Sequence, residues 1–185
     1  VCSGLPIGLS LNTNGVSVGA SGYNVVGVSI APGLVAGGSN AIVPSNNELA
    51  NYLANDTYTN TTSGNLTVVY QVVPVSALGC TGDPPKSVTI TVQPQPVVSS
   101  SLDATVCSGA ATGLTLNTNG TSVAASTYNI TARTIDPGLT AGGSNAVVPA
   151  TGVAAGYLAA DVFTNTTGST LNVTYTVIPK SAANC

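Results

Sequence analysis

The 185-residue chain carries three basic and six acidic residues, no histidine, tryptophan or methionine, and a formal net charge of −3. So few cations cannot neutralise a phosphate backbone, which excludes nucleic-acid binding, and so small a net charge steers no partner. Mean hydropathy is +0.38, but the apolar residues are scattered Val, Ala and Leu with no run near the ~18–20 residues of a membrane helix, so no membrane insertion is expected.

Ser, Thr and Asn make up roughly a third of the residues, so hydroxyls and amides wet the surface in place of charges. Abundant Val and Thr favour strands over helices, and the disordered signature of low hydrophobicity with high net charge is missing. An all-β fold is expected.

The chain opens on Val1-Cys2-Ser3-Gly4, with no signal peptide or lipidation signal, and reads as a mature or excerpted segment of something longer. Asn14-Gly15 is a hairpin-turn signal. Tyr23–Ile30 reads as a strand, and Pro32-Gly33 and Gly37-Gly38 punctuate short, irregular strands. Glu48, Leu49, Tyr52 and Leu53 have helical spacing, which predicts one helical or 3₁₀ turn within Asn47–Ala54 that plugs the core. Leu66–Val73 is a clearer strand, with Leu66, Val68, Tyr70 and Val72 on one face; Val69 and Val73 predict a partly covered opposite face. Ser87–Gln93 alternates strictly and reads as another strand. Pro94-Gln95-Pro96 and Ser99-Ser100-Ser101 then mark a short, stiffened linker.

Beyond it the pattern repeats without a gap. Cys2-Ser3-Gly4 recurs as Cys107-Ser108-Gly109, and Cys80 as Cys185, both at an offset of 105. Ala36-Gly37-Gly38-Ser39-Asn40-Ala41 recurs as Ala141-Gly142-Gly143-Ser144-Asn145-Ala146. Tyr128–Ile135 and Leu171–Ile178 repeat the two main strands, the latter with Leu171, Val173, Tyr175 and Val177 on one face and Asn172, Thr174 and Thr176 on the other. A period near 105 is too long for a solenoid unit of ~20–50 residues and suits a sandwich domain of ~100. The expected organisation is a sandwich over 1–93, a linker over 94–105 and a second sandwich over 106–185. The second copy stops at Cys185 and lacks a counterpart to Thr81–Thr105, including the alternating strand. Either this is an excerpt of a longer array or a neighbouring subunit supplies the missing strand. Both imply end-to-end assembly with copies of itself.

The opening Val-Cys-Ser-Gly, the Asn60–Thr62 triplet before Leu66–Pro74, then Cys80–Pro84 and Val88–Pro94, together resemble the PKD-like, immunoglobulin-type repeat of very large secreted bacterial surface proteins. Val106–Gly109, Asn165–Thr167 and Leu171–Pro179 carry the same resemblance. It implies two tandem immunoglobulin-like β-sandwiches, cell-surface exposure, an adhesive or spacer role and no catalytic residue. Pro32 to Ala54 has no firm counterpart in that pattern.

Four cysteines permit three pairings. The economical one is Cys2–Cys80 with Cys107–Cys185, one disulfide per sandwich, each closing a loop of roughly 80 residues for ~2–4 kcal/mol. The rival joins Cys80 to Cys107 and leaves Cys2 and Cys185 for neighbours. Either places the chain in an oxidising compartment. Zinc is disfavoured without His or C-x-x-C.

Seven Asn-x-Ser/Thr triplets, at Asn55, Asn60, Asn65, Asn119, Asn129, Asn165 and Asn172, are candidate glycosylation acceptors, against roughly four expected by chance. Hydroxyl-linked glycans are an equal alternative in so Ser/Thr-rich a chain. For catalysis, Asp56 and Asp161 are the only equivalent acidic pair, and a lone Asp near a turn is more often a turn or capping residue than a base. Asp83 and Asp103 near the linker are a thin set for calcium, which wants six to eight oxygens. Gly37-Gly38 and Gly142-Gly143 read as tight turns, since no Lys-Ser/Thr follows to make a phosphate loop. Tyr23, Tyr52, Tyr70 and their equivalents predict core packing with anchored hydroxyls; a sugar-stacking platform is the second reading. No cofactor is implied. The expected function is a structural module of an extracellular filament or adhesin stalk, not an enzyme. The alternative is a ligand-binding adhesin that uses loops 32–44 and 137–149.

Overall fold

A computed structural model describes residues 1–82 and 84–185. None of the described residues is helical, and the chain divides into two compact units, Val1–Pro94 and Gln95–Cys185.

The first unit contains β1 (Gly22–Ile30), β2 (Leu34–Ala36), β3 (Ser45–Glu48), β4 (Tyr58–Asn60), β5 (Leu66–Val75) and β6 (Lys86–Val92). Its main sheet is antiparallel in the order β3-β1-β5-β6, and β2 pairs with β4 separately. Period-2 alternation decides which side of β5 is inward: Val68, Tyr70 and Val72 are buried, while Thr67 is exposed. Val73 is also buried, as the apolar second face predicts. The core gathers Val25, Leu53, Tyr58, Val68, Tyr70 and Val92. Leu53 is fully buried on a turn closed by i→i+3 bonds from Tyr52 N to Leu49 O (3.0 Å) and Ala54 N to Asn51 O (2.9 Å), the predicted plug. At the other edge, Val1–Ser3 runs parallel to the end of β6: Gln93 N donates to Val1 O (2.8 Å) and Ser3 N to Gln93 O (3.0 Å).

The second unit contains β7 (Thr127–Ile135), β8 (Leu139–Ala141), β9 (Ala150–Val153), β10 (Phe163–Asn165) and β11 (Val173–Lys180). Its sheets are β11-β7-β9 and β10-β8, around a core of Leu116, Tyr128, Ile130 and Leu158. Among the described residues nothing takes the place of β6, so β11 is an edge strand. It starts at Val173, two residues later than expected, where the equivalent part of β5 is held by β6.

Three expectations are corrected. Residues 95–105 belong to the second unit and are not a free linker: Val98 bridges Thr118, Ser99 N donates to Asn117 O (3.0 Å) and Asn119 N to Val97 O (2.9 Å). Asn14-Gly15 turns the chain without making a hairpin. The Asn14 side-chain oxygen accepts from Val16 N (3.0 Å) and Ser17 N (2.8 Å), closing an Asx turn whose flanks pair elsewhere.

The third concerns the disulfides. Cys2 and Cys185 are disulfide-bonded, whereas Cys80 and Cys107 carry free, exposed thiols, so the pairing Cys2–Cys80 with Cys107–Cys185 is not formed. The geometry of each unit forbids it. Cys2 bridges Gln93, beside the Leu66 end of β5. Cys80 lies past the Val75 end, where Ser76 N donates to Cys80 O (2.9 Å). The ten residues of β5 span about 30 Å at ~3.3 Å per residue, while a disulfide needs Cα atoms within ~7 Å. Cys107 and Cys185 flank β11 in the same way: Ser108 Oγ accepts from Asn165 N (2.8 Å), and Ser181 N donates to Cys185 O (3.0 Å). Each unit carries its two cysteines at opposite poles. The rival Cys80–Cys107 pairing is also not formed.

Candidate functional site

The retained acidic pair is a structural anchor. Asp56 sits just before β4 and is 2 % exposed. Its Oδ2 accepts from Tyr70 OH (2.5 Å) and its Oδ1 from Ala41 N (2.7 Å), while the Tyr58 and Tyr70 hydroxyls lie 2.7 Å apart. A carboxylate thereby ties β5 to the Ala36–Ala41 turn. Asn40 completes the clamp: its Nδ2 donates to Thr57 O (3.0 Å) and its Oδ1 accepts from Thr57 N (2.8 Å). A Cβ on Gly37 would fall 2.2 Å from Thr57 Oγ1, which explains a glycine where the turn is pressed against the chain before β4. The Gly-Gly pairs are turns held in this way, not phosphate loops.

The second unit repeats the anchor with one exchange. Asp161 is 1 % exposed, Ala146 N donates to its Oδ1 (2.6 Å), and Tyr175 OH donates to its Oδ2. Phe163 stands where the first unit has Tyr58, and Arg133 supplies the other partner: its Nη1 lies 3.9 Å from Asp161 Oδ2 and donates to Ala146 O (3.2 Å). Sequence reasoning missed Arg133, which stands where the first unit has Val28; one of only three cations in the chain, aligned with a valine, was the available signal. Burial first, and then the hydrogen bonds to Asp56 and Tyr58, hold the Tyr70 phenol far above its ordinary value of about 10. Burial and Asp161 raise Tyr175 likewise, opposed by Arg133. Tyr52 and Tyr157 are anchored too, donating to Ile42 O (2.9 Å) and Val147 O (3.0 Å). Tyr23 and Tyr128 are buried. These tyrosines are packed into the core or tethered by their hydroxyls.

The Asn-x-Thr triplets shared by the two copies each close a local turn. Asn60 is 0 % exposed. Its Nδ2 donates to Gly64 O and to Val92 O (both 2.9 Å), and its Oδ1 accepts from Thr62 N (3.1 Å) and Thr62 Oγ1 (2.7 Å). Both amide hydrogens are engaged and the side chain is closed to solvent, so Asn60 is a structural residue and not a glycan acceptor in the folded unit. Asn165 makes the same local turn, donating to Ser169 O (2.8 Å) and accepting from Thr167 N (2.9 Å), but is half-buried. Its bond to a strand like β6 has no counterpart. Asn129 is half-buried with its Oδ1 accepting from Gly152 N (2.9 Å). Asn55, Asn65, Asn119 and Asn172 are exposed.

An open groove of about 1060 Å³ runs along β11 of the second unit, lined by Leu171, Val173, Tyr175 and Val177 on one side and by Val106 and Ser108 on the other. In the first unit the equivalent space is filled by β6, in the register Leu66↔Val92, Val68↔Ile90, Tyr70↔Val88 and Val72↔Lys86. The consequence shows in burial. Val68, Tyr70 and Val72 are buried, and Val173, Tyr175 and Val177 are only half-buried.

Among the described residues no group of three or more His, Cys, Asp or Glu side chains comes together to hold a metal ion. Asp103 is exposed, and Asp83 lies outside the described residues. No helix among them is long and apolar enough to cross a membrane.

Comparison with known families matches residues 38–96 to the PKD-like domain. That stretch covers β3 to β6 with the Asp56 anchor and the Asn60 turn, and it bears out the resemblance to PKD-like repeats. The PKD-like domain is a non-catalytic, immunoglobulin-like kind of fold, typical of extracellular modules, and a β-sandwich fits the all-β architecture. No curated protein and no solved structure matches the chain.

Proposed function

We propose that the chain is a structural module of an extracellular filament or adhesin stalk, built by joining copies end to end. The placement of the cysteines carries this reading. Each unit keeps one exposed free thiol, Cys80 in the first and Cys107 in the second, open to bond a neighbouring molecule, while Cys2 and Cys185 are already disulfide-bonded. The buried titratable groups are consumed by packing: Asp56 and Asp161 are tied to tyrosine hydroxyls and backbone, which leaves no free acid–base pair there. A nearly uncharged, hydroxyl-rich surface suits a long inert spacer. Glycans on the exposed Asn55, Asn65, Asn119 or Asn172 would add to its solubility.

Electron microscopy of the purified chain under oxidising conditions tests this. Beaded filaments that shorten on reduction are expected; monomers only, at all concentrations and redox states, would overturn it. A second reading, a ligand-binding adhesin, draws on Ile42 (78 % exposed) and Val147 (73 % exposed), apolar side chains at equivalent places on the retained loops. Saturable glycan binding abolished by Ile42→Asp and Val147→Asp would favour it.

A further inference from the structure

Asn-Gly occurs twice, as Asn14-Gly15 and Asn119-Gly120, at the same place in each copy. In both, two backbone N–H groups converge on one side-chain oxygen. Asn14 Oδ1 accepts from Val16 N (3.0 Å) and Ser17 N (2.8 Å), and Asn119 Oδ1 from Thr121 N (3.2 Å) and Ser122 N (2.9 Å). Both asparagines and both glycines are exposed. Gly15 and Gly120 sit at φ +76° and +79°, and nothing lies within 4 Å of where a Cβ would stand. Each glycine nitrogen therefore has no side chain shielding it, and no hydrogen bond among the described residues engages it. Other asparagines lack one part of this arrangement. Asn12 and Asn117 are also exposed, but each Oδ1 takes a single bond, from the next residue's own N–H (Thr13 N and Thr118 N, both 2.8 Å). There the following nitrogen is engaged as the donor and belongs to a β-branched residue. Asn60 and Asn165 have two donors on Oδ1 but precede Thr61 and Thr166.

We propose that Asn14 and Asn119 are sites of spontaneous modification, at which the backbone nitrogen of the following glycine displaces ammonia from the side-chain amide. The glycine nitrogen attacks Cγ. Negative charge then builds on Oδ1, where two N–H donors already converge, the arrangement that lowers the barrier in an oxyanion hole. The Cγ–Nδ2 bond breaks, and ammonia leaves with the proton that the glycine nitrogen gives up. Water opens the resulting cyclic imide at either carbonyl, giving aspartate or isoaspartate. No oxidant, metal or partner is consumed. Aspartate keeps the turn, because a carboxylate oxygen accepts the same two bonds more strongly. Isoaspartate adds a carbon to the main chain and breaks it. Each event adds one negative charge to a chain whose net charge is −3. Asn119 also heads an Asn-Gly-Thr triplet, so the ammonia carries off the nitrogen that a glycan would need, and the two fates exclude each other. The site is independent of the structural-module reading.

The test incubates the full chain in mildly alkaline buffer and follows every asparagine by peptide mapping with mass spectrometry. Asn14 and Asn119 should convert at least tenfold faster than the exposed Asn12, Asn65, Asn117 and Asn172, with both aspartyl and isoaspartyl products. Asn14 should convert no more slowly in the folded chain than in a free peptide of residues 8–20. Val16→Pro removes one of the two donors at a position 92 % exposed. It should slow Asn14 about tenfold, while Asn119 in the same molecule keeps its rate. Conversion of the free peptide while the folded chain stays intact would show that the turn protects its amide, and would overturn the proposal. So would equal rates at all the exposed asparagines, or an unchanged rate at Asn14 in the Val16→Pro variant.

Discussion

Replacing Asn60 by alanine removes four hydrogen bonds from a fully buried side chain: two donated by Nδ2 to Gly64 O and Val92 O, and two accepted by Oδ1 from Thr62. A typical bond contributes ~0.5–1.5 kcal/mol net, and a buried group left without a partner costs ~1–3 kcal/mol. Val92 O is the group most exposed to that penalty, because Val92 is buried in the core. The loss for the first unit should be about 3 kcal/mol. At ~4–8 °C per kcal/mol for a unit of this size, its melting temperature should fall by roughly 12–24 °C. Asn165→Ala removes the same local turn where the side chain is half-buried and faces an open groove, so water replaces much of what is lost, and about 1 kcal/mol is expected. The assay is differential scanning calorimetry of the intact chain, with hydrogen exchange to assign each transition to its unit. Equal losses for the two variants, or a loss below ~1 kcal/mol for Asn60→Ala, would refute the reasoning that β6 makes this asparagine structural.

The tyrosine anchors should differ in a related way. Tyr70→Phe leaves a buried Asp56 with only the Ala41 amide and should cost about 2–3 kcal/mol. Tyr175→Phe leaves Asp161 with Arg133 nearby and should cost about half as much, both read from urea unfolding. Raised phenols bind the proton more tightly when folded. Between pH ~10 and the folded values the native state therefore holds more protons than the unfolded chain, and stability should be flat with respect to these groups below pH ~10 and fall as pH rises above it. Tyr70→Phe should flatten the fall attributable to the first unit in melting curves between pH 9 and 12. Alkylation without reductant followed by peptide mapping should label Cys80 and Cys107, and label Cys2 and Cys185 only after reduction.

The sequence by itself determined the all-β class, the repeat and the inward face of each long strand. Those are local properties: side chains alternate at a period of two, and a 105-residue offset needs no coordinates. Val68, Tyr70 and Val72 were readable as core for that reason, and Leu53 as a plug from its spacing. Only the tertiary structure decided what lies at the two ends of a strand and what covers it. Cys2 and Cys80 look like a natural pair when counted along the chain, but β5 is a rigid spacer that holds them about 30 Å apart. Asn60 fits a glycan-acceptor triplet, but β6, 26 residues further on, closes over it and takes its second amide hydrogen. Arg133 became legible as a partner of Asp161 only once β7 had brought it beside a carboxylate 28 residues away. In each case distance along the chain gave no measure of distance in space, because pairing of the strands sets the latter.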